Sequence, residues 1–155
     1  MPEIAGRARP VGRVAVVASR YNELVTGPLL AGALAMAREA GLAEDEIDVV
    51  WAPGAFELPA LAAAAAGTGR YACIVALGAV IRGETAHFDF VAGEAARGLQ
   101  DVAVRHAVPV AFGVLTTDTI EQAMARAGGA AGNKGREAME AALQAADAIA
   151  RLRAG

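Results

Sequence analysis

Four short runs rich in valine and isoleucine, VGRVAVVAS (11–19), EIDVVWAP (46–53), YACIVALGAV (71–80) and VPVAFGVL (108–115), punctuate the chain, each followed by a helix-like stretch. The runs show little polar alternation, the pattern of strands covered on both faces. The helical stretches are read as Glu23 to Ala40, Phe56 to Ala66, Ala86 to His106 and Thr119 to Ala127, with a last helix from Lys134 to Arg153. In the third, Phe88, Val91, Ala92, Ala95, Leu99 and Val102 have the spacing of a helix with one buried face. Strand followed by helix, four times over, predicts a four-stranded parallel sheet in a three-layer α/β/α sandwich. Gly41, Gly67 with Gly69, and Pro109 fall where helices should stop and strands begin. Residues 128–135, GGAAGNKG, are read as a break between two helical patterns.

At 155 residues one domain is expected. The segment MPEIAGRARPV (1–11) reads as an N-terminal arm outside the core. A net charge of −3, with 20% charged and 55% hydrophobic residues, points neither to disorder nor to a nucleic-acid face. No stretch reaches the ~18 apolar residues of a membrane span, and the run after Arg13 is too short for a secretory signal. A soluble, cytoplasmic protein is therefore expected. Cys73 is the only cysteine, so no disulfide framework can form within one chain. Its place in an apolar strand suits an inert core thiol.

In an open parallel sheet, ligands bind beyond the carboxyl ends of the strands. The loops there are SRYN (19–22), APGAFE (52–57), RGETAHFD (82–89) and LTTDT (115–119). The third gathers Arg82, Glu84, Thr85, His87 and Asp89 at a strand-to-helix turn. Thr85 is a candidate N-cap and Asp89 suits a first helical turn, so both also have structural explanations. No capping role calls for a histidine, and an imidazole at a helix start can pass protons near pH 7. The same turn offers backbone N–H groups to an anion, with Arg82 or Arg126 as counter-charge. Tyr21 and Phe56 stand at the ends of two different strands in a chain with only 5% aromatics. Rings on converging loops can grip a flat heterocycle. His106, at a helix end, reads as structural. The first turn lacks a G-x-G-x-x-G fingerprint, GGAAGNKG lacks the order of a nucleotide P-loop, and no G-x-S-x-G elbow occurs. Two histidines without grouped carboxylates argue against a metal site.

The stretches GAFELP (54–59), GAVIRGETAHFDFV (78–91), FGVLTTDTIEQA (112–123) and AGNKG (131–135), in this order and spacing, resemble the 6,7-dimethyl-8-ribityllumazine synthase family from about Val14 to Leu152. The resemblance implies a flavodoxin-like fold. It also implies condensation of 5-amino-6-(D-ribitylamino)uracil with 3,4-dihydroxy-2-butanone 4-phosphate, the penultimate step of riboflavin biosynthesis, without metal or cofactor. It assigns the pyrimidine and its ribityl chain to Tyr21, Ala55, Phe56, Glu57, the backbone of Ala79, Val80 and Ile81, and Phe112. The phosphate falls to Glu84, Thr85 and Arg126, with Lys134 nearby, and proton transfer to His87. The family more often carries phenylalanine or tryptophan where this chain has Tyr21. Homo-oligomers built from pentamers, with sites between subunits and Phe112 and Arg126 supplied by the adjacent chain, are implied as well. The absence of an insertion in GGAAGNKG leans toward a hollow shell of sixty chains. Two rival readings are a flavin- or lumazine-binding paralogue without synthesis, disfavoured by His87 and Arg126, and a receiver-type module, disfavoured by SRYN in place of an acidic pair.

Overall fold

The structure, a computed structural model, describes residues 1–155. Four strands, β1 (Arg13–Ser19), β2 (Ile47–Ala52), β3 (Tyr71–Ile81) and β4 (Val110–Thr117), form one parallel sheet in the order β2-β1-β3-β4. The helices are α1 (Glu23–Ala40), α2 (Leu58–Gly67), α3 (His87–His106), α4 (Ile120–Ala125) and α5 (Lys134–Ala154). This is the expected flavodoxin-like sandwich.

The strand period of two explains the three layers. On one face Val14, Val16 and Ala18 of β1 and Cys73, Val75 and Leu77 of β3 pack with Leu29 and Ala33 of α1 and Met139 and Leu143 of α5. On the other, Ala15, Val17, Ile74 and Ala76 meet Leu58 and Ala62 of α2 and Leu99 and Val102 of α3. Both central strands are thus sealed twice, as their unbroken apolar runs require. The edges differ from expectation. Val49 and Trp51 of β2 and Phe112 of β4, the two edge strands, remain partly exposed.

Local chemistry sets several boundaries. Gly41 ends α1 at φ 105°, where its N–H bonds back to Ala37 and Arg38. The second helical stretch begins as a 3-10 turn, Ala55–Glu57, before Pro59 in the first turn of α2 commits the chain to α-helix. Thr119 caps α4 through Gln122 N–H, and the Gln122 side chain returns the bond to Thr119 N–H at 3.2 Å. Residues 128–135 are more than a break. Ala127–Gly129 (β5) and Gly132–Asn133 (β6) form a small antiparallel hairpin, and Asn133 Oδ1 then caps α5 by accepting from Gly135 and Arg136.

Residues 1–12 contain no helix or strand. Ala8 and Val11 nevertheless pack on the core, and the fully buried Asp147 of α5 accepts from Arg7 N–H at 2.8 Å and from Arg9 Nε. The Arg7 N–H, with the Arg9 guanidinium beside it, holds the Asp147 carboxyl below the usual carboxylate range. At the amino end of the sheet, Arg13 grips both oxygens of Asp48 at 2.9 Å and Tyr71 OH donates to Asp48 at 2.7 Å, tying β1, β2 and β3 together. The Tyr71 and Arg13 bonds lower the Asp48 pKa, and Asp48 in turn raises that of the Tyr71 phenol. No helix is long and apolar enough to cross a membrane.

Candidate active site

The carboxyl ends of β1, β2 and β3 open into a cleft of about 1070 Å³. Tyr21 and Asn22 enter from the first loop, Gly54, Ala55, Phe56 and Glu57 from the second, and Ala79, Val80 and Ile81 from the end of β3. Gly83, Thr85, His87, Phe88, Phe90 and Val91 close the far side with Ile120. The volume lies at the upper end of the usual range for small-molecule sites, and the lining is predominantly apolar.

Strand register builds the polar floor. Pairing between β1 and β3 ends at Ala18 and Leu77, whereas β3 runs on to Ile81 beside β4 alone. Beyond Leu77 the side of β3 that faces β1 therefore has no neighbouring strand. Ala79 points its carbonyl that way and accepts from Asn22 Nδ2 at 3.1 Å. By the alternation of strand groups, the N–H and C=O of Ile81 point the same way. Such backbone edges can read the donors and acceptors of a planar ring. Asn22 reaches Ala79 from a left-handed backbone (φ 63°), a conformation that asparagine tolerates better than most residues.

Above this floor stand exposed rings. Tyr21 is 70% exposed and Phe56 59%, on different loops, as a stacking pair would require. Phe90 joins them, 68% exposed and facing the cleft from α3. Apolar rings left this open call for a partner, either a ligand or another chain.

His87 begins α3. Its N–H donates to Thr85 Oγ1 at 3.4 Å, while its imidazole bonds to no other group of the chain and lines the cleft. Thr85 thus meets the helix start, although the residue preceding the first turn is Ala86 and no side chain caps it. Glu84 is exposed at the rim between Gly83 and Thr85.

Not every candidate converges. Arg126 ends α4 with its NH1 donating to Gln122 O at 2.9 Å. The hairpin brings Lys134 beside it, Lys134 N–H donating to Arg126 O at 2.8 Å while Nζ pairs with Glu137. Neither these two nor Phe112 lines the chain's own cleft. Arg82, read from sequence as a counter-charge for an anion, is already engaged. Its Nε donates to Asp118 Oδ1 at 2.9 Å, its NH1 lies 3.5 Å from Asp89 Oδ1, and its guanidinium sits over the Phe88 ring. The Asp118 bond, reinforced by Asp89, raises its pKa further. Asn22, Phe90 and Ile120 line the cleft unexpectedly, and Phe88 and Val91, expected only on the buried stripe of α3, join them. Asn22 alone had a signal, since asparagine directly after a strand suits a tight left-handed turn.

Fold and cleft together define a small open α/β protein built to hold a flat polar ring at the carboxyl edge of its sheet, beside an ionisable side chain. The family model for 6,7-dimethyl-8-ribityllumazine synthase matches residues 12–150. Proteins of that name from Edwardsiella ictaluri and Gemmatimonas aurantiaca are 53% and 55% identical over 148 residues, covering 95% of this chain and 95% and 90% of theirs. A Yersinia pestis relative of the same name is 52% identical over 143 residues, 92% of each chain. The chain belongs to the 6,7-dimethyl-8-ribityllumazine synthase family, and it has the synthase activity for which the family is named.

Proposed function

We propose that the cleft condenses 5-amino-6-(D-ribitylamino)uracil with 3,4-dihydroxy-2-butanone 4-phosphate, with His87 moving the protons. The observation that carries this reading is the unpaired end of β3, a backbone edge flanked by Tyr21 and Phe56 with His87 across the cleft. The pyrimidine lies between the rings and reads the backbone edge of Ala79 and Ile81, while Val80, Ala55 and Glu57 meet the ring or its ribityl chain.

The phospho-ketone lies at the start of α3. Free N–H groups at Glu84 and Thr85, with the positive end of the helix dipole, favour its phosphate. Glu84 contributes its backbone, its carboxylate turned to solvent. Arg126 and Lys134 act together, since the hairpin sets them side by side. Because they and Phe112 lie away from the chain's own cleft, they complete the cleft of an adjacent subunit, and the working unit is a ring of subunits, taken to be a pentamer. A shell of sixty such chains is the assembly we favour.

The amine of the pyrimidine attacks the ketone, and loss of water gives an imine. Phosphate leaves by elimination, the product tautomerises, and the ribitylamino nitrogen closes the ring with loss of a second water. Holding the two reactants side by side can supply roughly 7–11 kcal/mol. Proton transfer adds about 10²- to 10⁴-fold. Mixing purified protein with both substrates should produce lumazine fluorescence, and His87→Ala should slow its appearance within that range without abolishing it. A wild-type rate in that variant would remove His87 from the mechanism. Sedimentation of the protein at micromolar concentration tests the assembly, and a monomer would overturn the shared site.

A further inference from the structure

We propose that Arg82 is a positioning residue that orients His87 by clamping the first turn of α3 to the β4–α4 loop. This inference rests on the reading of His87 as the proton-transfer group. The need for such a device is visible in the turn itself. The imidazole of His87 has no partner within the chain, so its place is set by the backbone of the first turn. That turn has no side-chain cap, and its sole local side-chain bond is the long one from His87 N–H to Thr85 Oγ1, 3.4 Å. Left to these contacts, the helix start would fray.

Arg82 supplies what the cap does not. Its own backbone is fixed, because Arg82 N–H donates to Thr117 O at 2.8 Å and extends the β3–β4 ladder by one bond. From there the guanidinium covers the Phe88 ring, 4.3 Å from its centroid, and approaches Asp89 Oδ1 at 3.5 Å. Phe88 and Asp89 are the two residues that follow His87. The third contact, Nε to Asp118 Oδ1 at 2.9 Å, anchors the group to a loop that is itself held, since Gln122 Oε1 accepts from Asp118 and Thr119 N–H. A planar fork is suited to this task, because it stacks on a ring and donates in two directions at once. Two carboxylates also neutralise Arg82, so it is a strut and not a ligand for the substrate phosphate.

Arg82, Asp89 and Asp118 are all well exposed, and pairs of this kind contribute little to global stability. Their effect is on geometry, where a displacement on the order of 1 Å can cost about 100-fold in rate. Arg82→Gln should therefore lower kcat roughly 10- to 100-fold while KM for the butanone phosphate stays within about twofold. Thermal unfolding should match the wild type. In a His87→Ala background the same substitution should have little further effect, because there is no imidazole left to misplace. Asp118→Asn should reproduce part of the loss, and Arg82→Lys, which keeps charge but not the fork, should restore only a fraction of kcat. A tenfold rise in KM with kcat intact would make Arg82 a phosphate ligand and overturn the proposal. An equal loss of kcat with and without His87 would overturn it too, while leaving the role of His87 standing. If His87→Ala alone left the rate unchanged, the fault would lie in the reading of the site. Should Arg82→Gln fail to fold, Asp118→Asn carries the same comparison in both backgrounds.

Discussion

Replacing Gly135 by alanine tests whether α1 and α5 meet backbone to backbone. Gly135 is the second residue of α5 and is buried. A Cβ there would overlap the carbonyl oxygen of Leu29 and lie 2.7 Å from its carbonyl carbon and 2.9 Å from its Cα. Backbone cannot swing aside as a side-chain tip can. Moving even the carbonyl carbon from 2.7 Å out to the 3.4 Å of ordinary contact requires the helices to part by about 0.7 Å, and clearing the nearer oxygen requires more. That shift loosens Leu29, Met139 and Leu143, all fully buried in the same cluster. Overpacking of this kind costs about 1–3 kcal/mol, occasionally more, and the better helix propensity of alanine returns at most about 1 kcal/mol. A net loss of about 1–2 kcal/mol is expected. Gly93 supplies the control, since it lies exposed in the middle of α3 with nothing within 4 Å of a Cβ. Gly93→Ala should stabilise by up to about 1 kcal/mol. Urea denaturation at one fixed protein concentration, followed by circular dichroism, compares the two through their midpoints. A Gly135→Ala protein as stable as the wild type would refute the close approach of α1 to α5.

Other predictions concern the site and two buried groups. Phe56→Ala should raise KM for the pyrimidine substrate about 2- to 12-fold, the worth of one stacked ring, and an unchanged value would take Phe56 out of the stack. Arg126→Ala should weaken the butanone phosphate and leave the pyrimidine untouched, with equal effects on both KM values counting against a phosphate role. Asp147 has a lowered pKa in the folded protein, so its contribution to stability is present above about pH 4 and lost as pH falls through the folded-state value. Asp147→Asn should therefore be less stable at neutral pH and lose stability less steeply on acidification. An acid limb as steep as that of the wild type would contradict this. Burial in β3 pushes the Cys73 thiol up to about 12, so a disulfide reagent at pH 8 should react only after unfolding. Prompt reaction with the native protein would place the thiol at the surface.

By itself the sequence determined the layers and the position of the site along the chain. Short runs rich in valine and isoleucine, each followed by a helical pattern, read as strands of a helix-covered parallel sheet, and the polar residues that interrupt the pattern, from Arg82 to Asp89, fall where strands end. Gly41 acts through its own backbone neighbours, and such a local signal is legible in one dimension. What depends on partners distant in the chain was not. The order β2-β1-β3-β4 makes β1 and β3 central and leaves Val49, Trp51 and Phe112 partly open, although their runs look equally apolar. The overhang of β3 beyond β1, which bares the backbone of Ala79 and Ile81, exists only in the register of two strands more than fifty residues apart. Arg82 stood beside Arg126 as a candidate counter-charge for an anion because a charge near a helix start has two possible partners, and Asp118 lies 36 positions away. The same holds for the seating of residues 7–9 on Asp147 and for the separation of Arg126 and Lys134 from their own cleft. Pattern encodes which face is apolar; tertiary structure decides which neighbour each polar group finds, because that choice is made by distance in space and not along the chain.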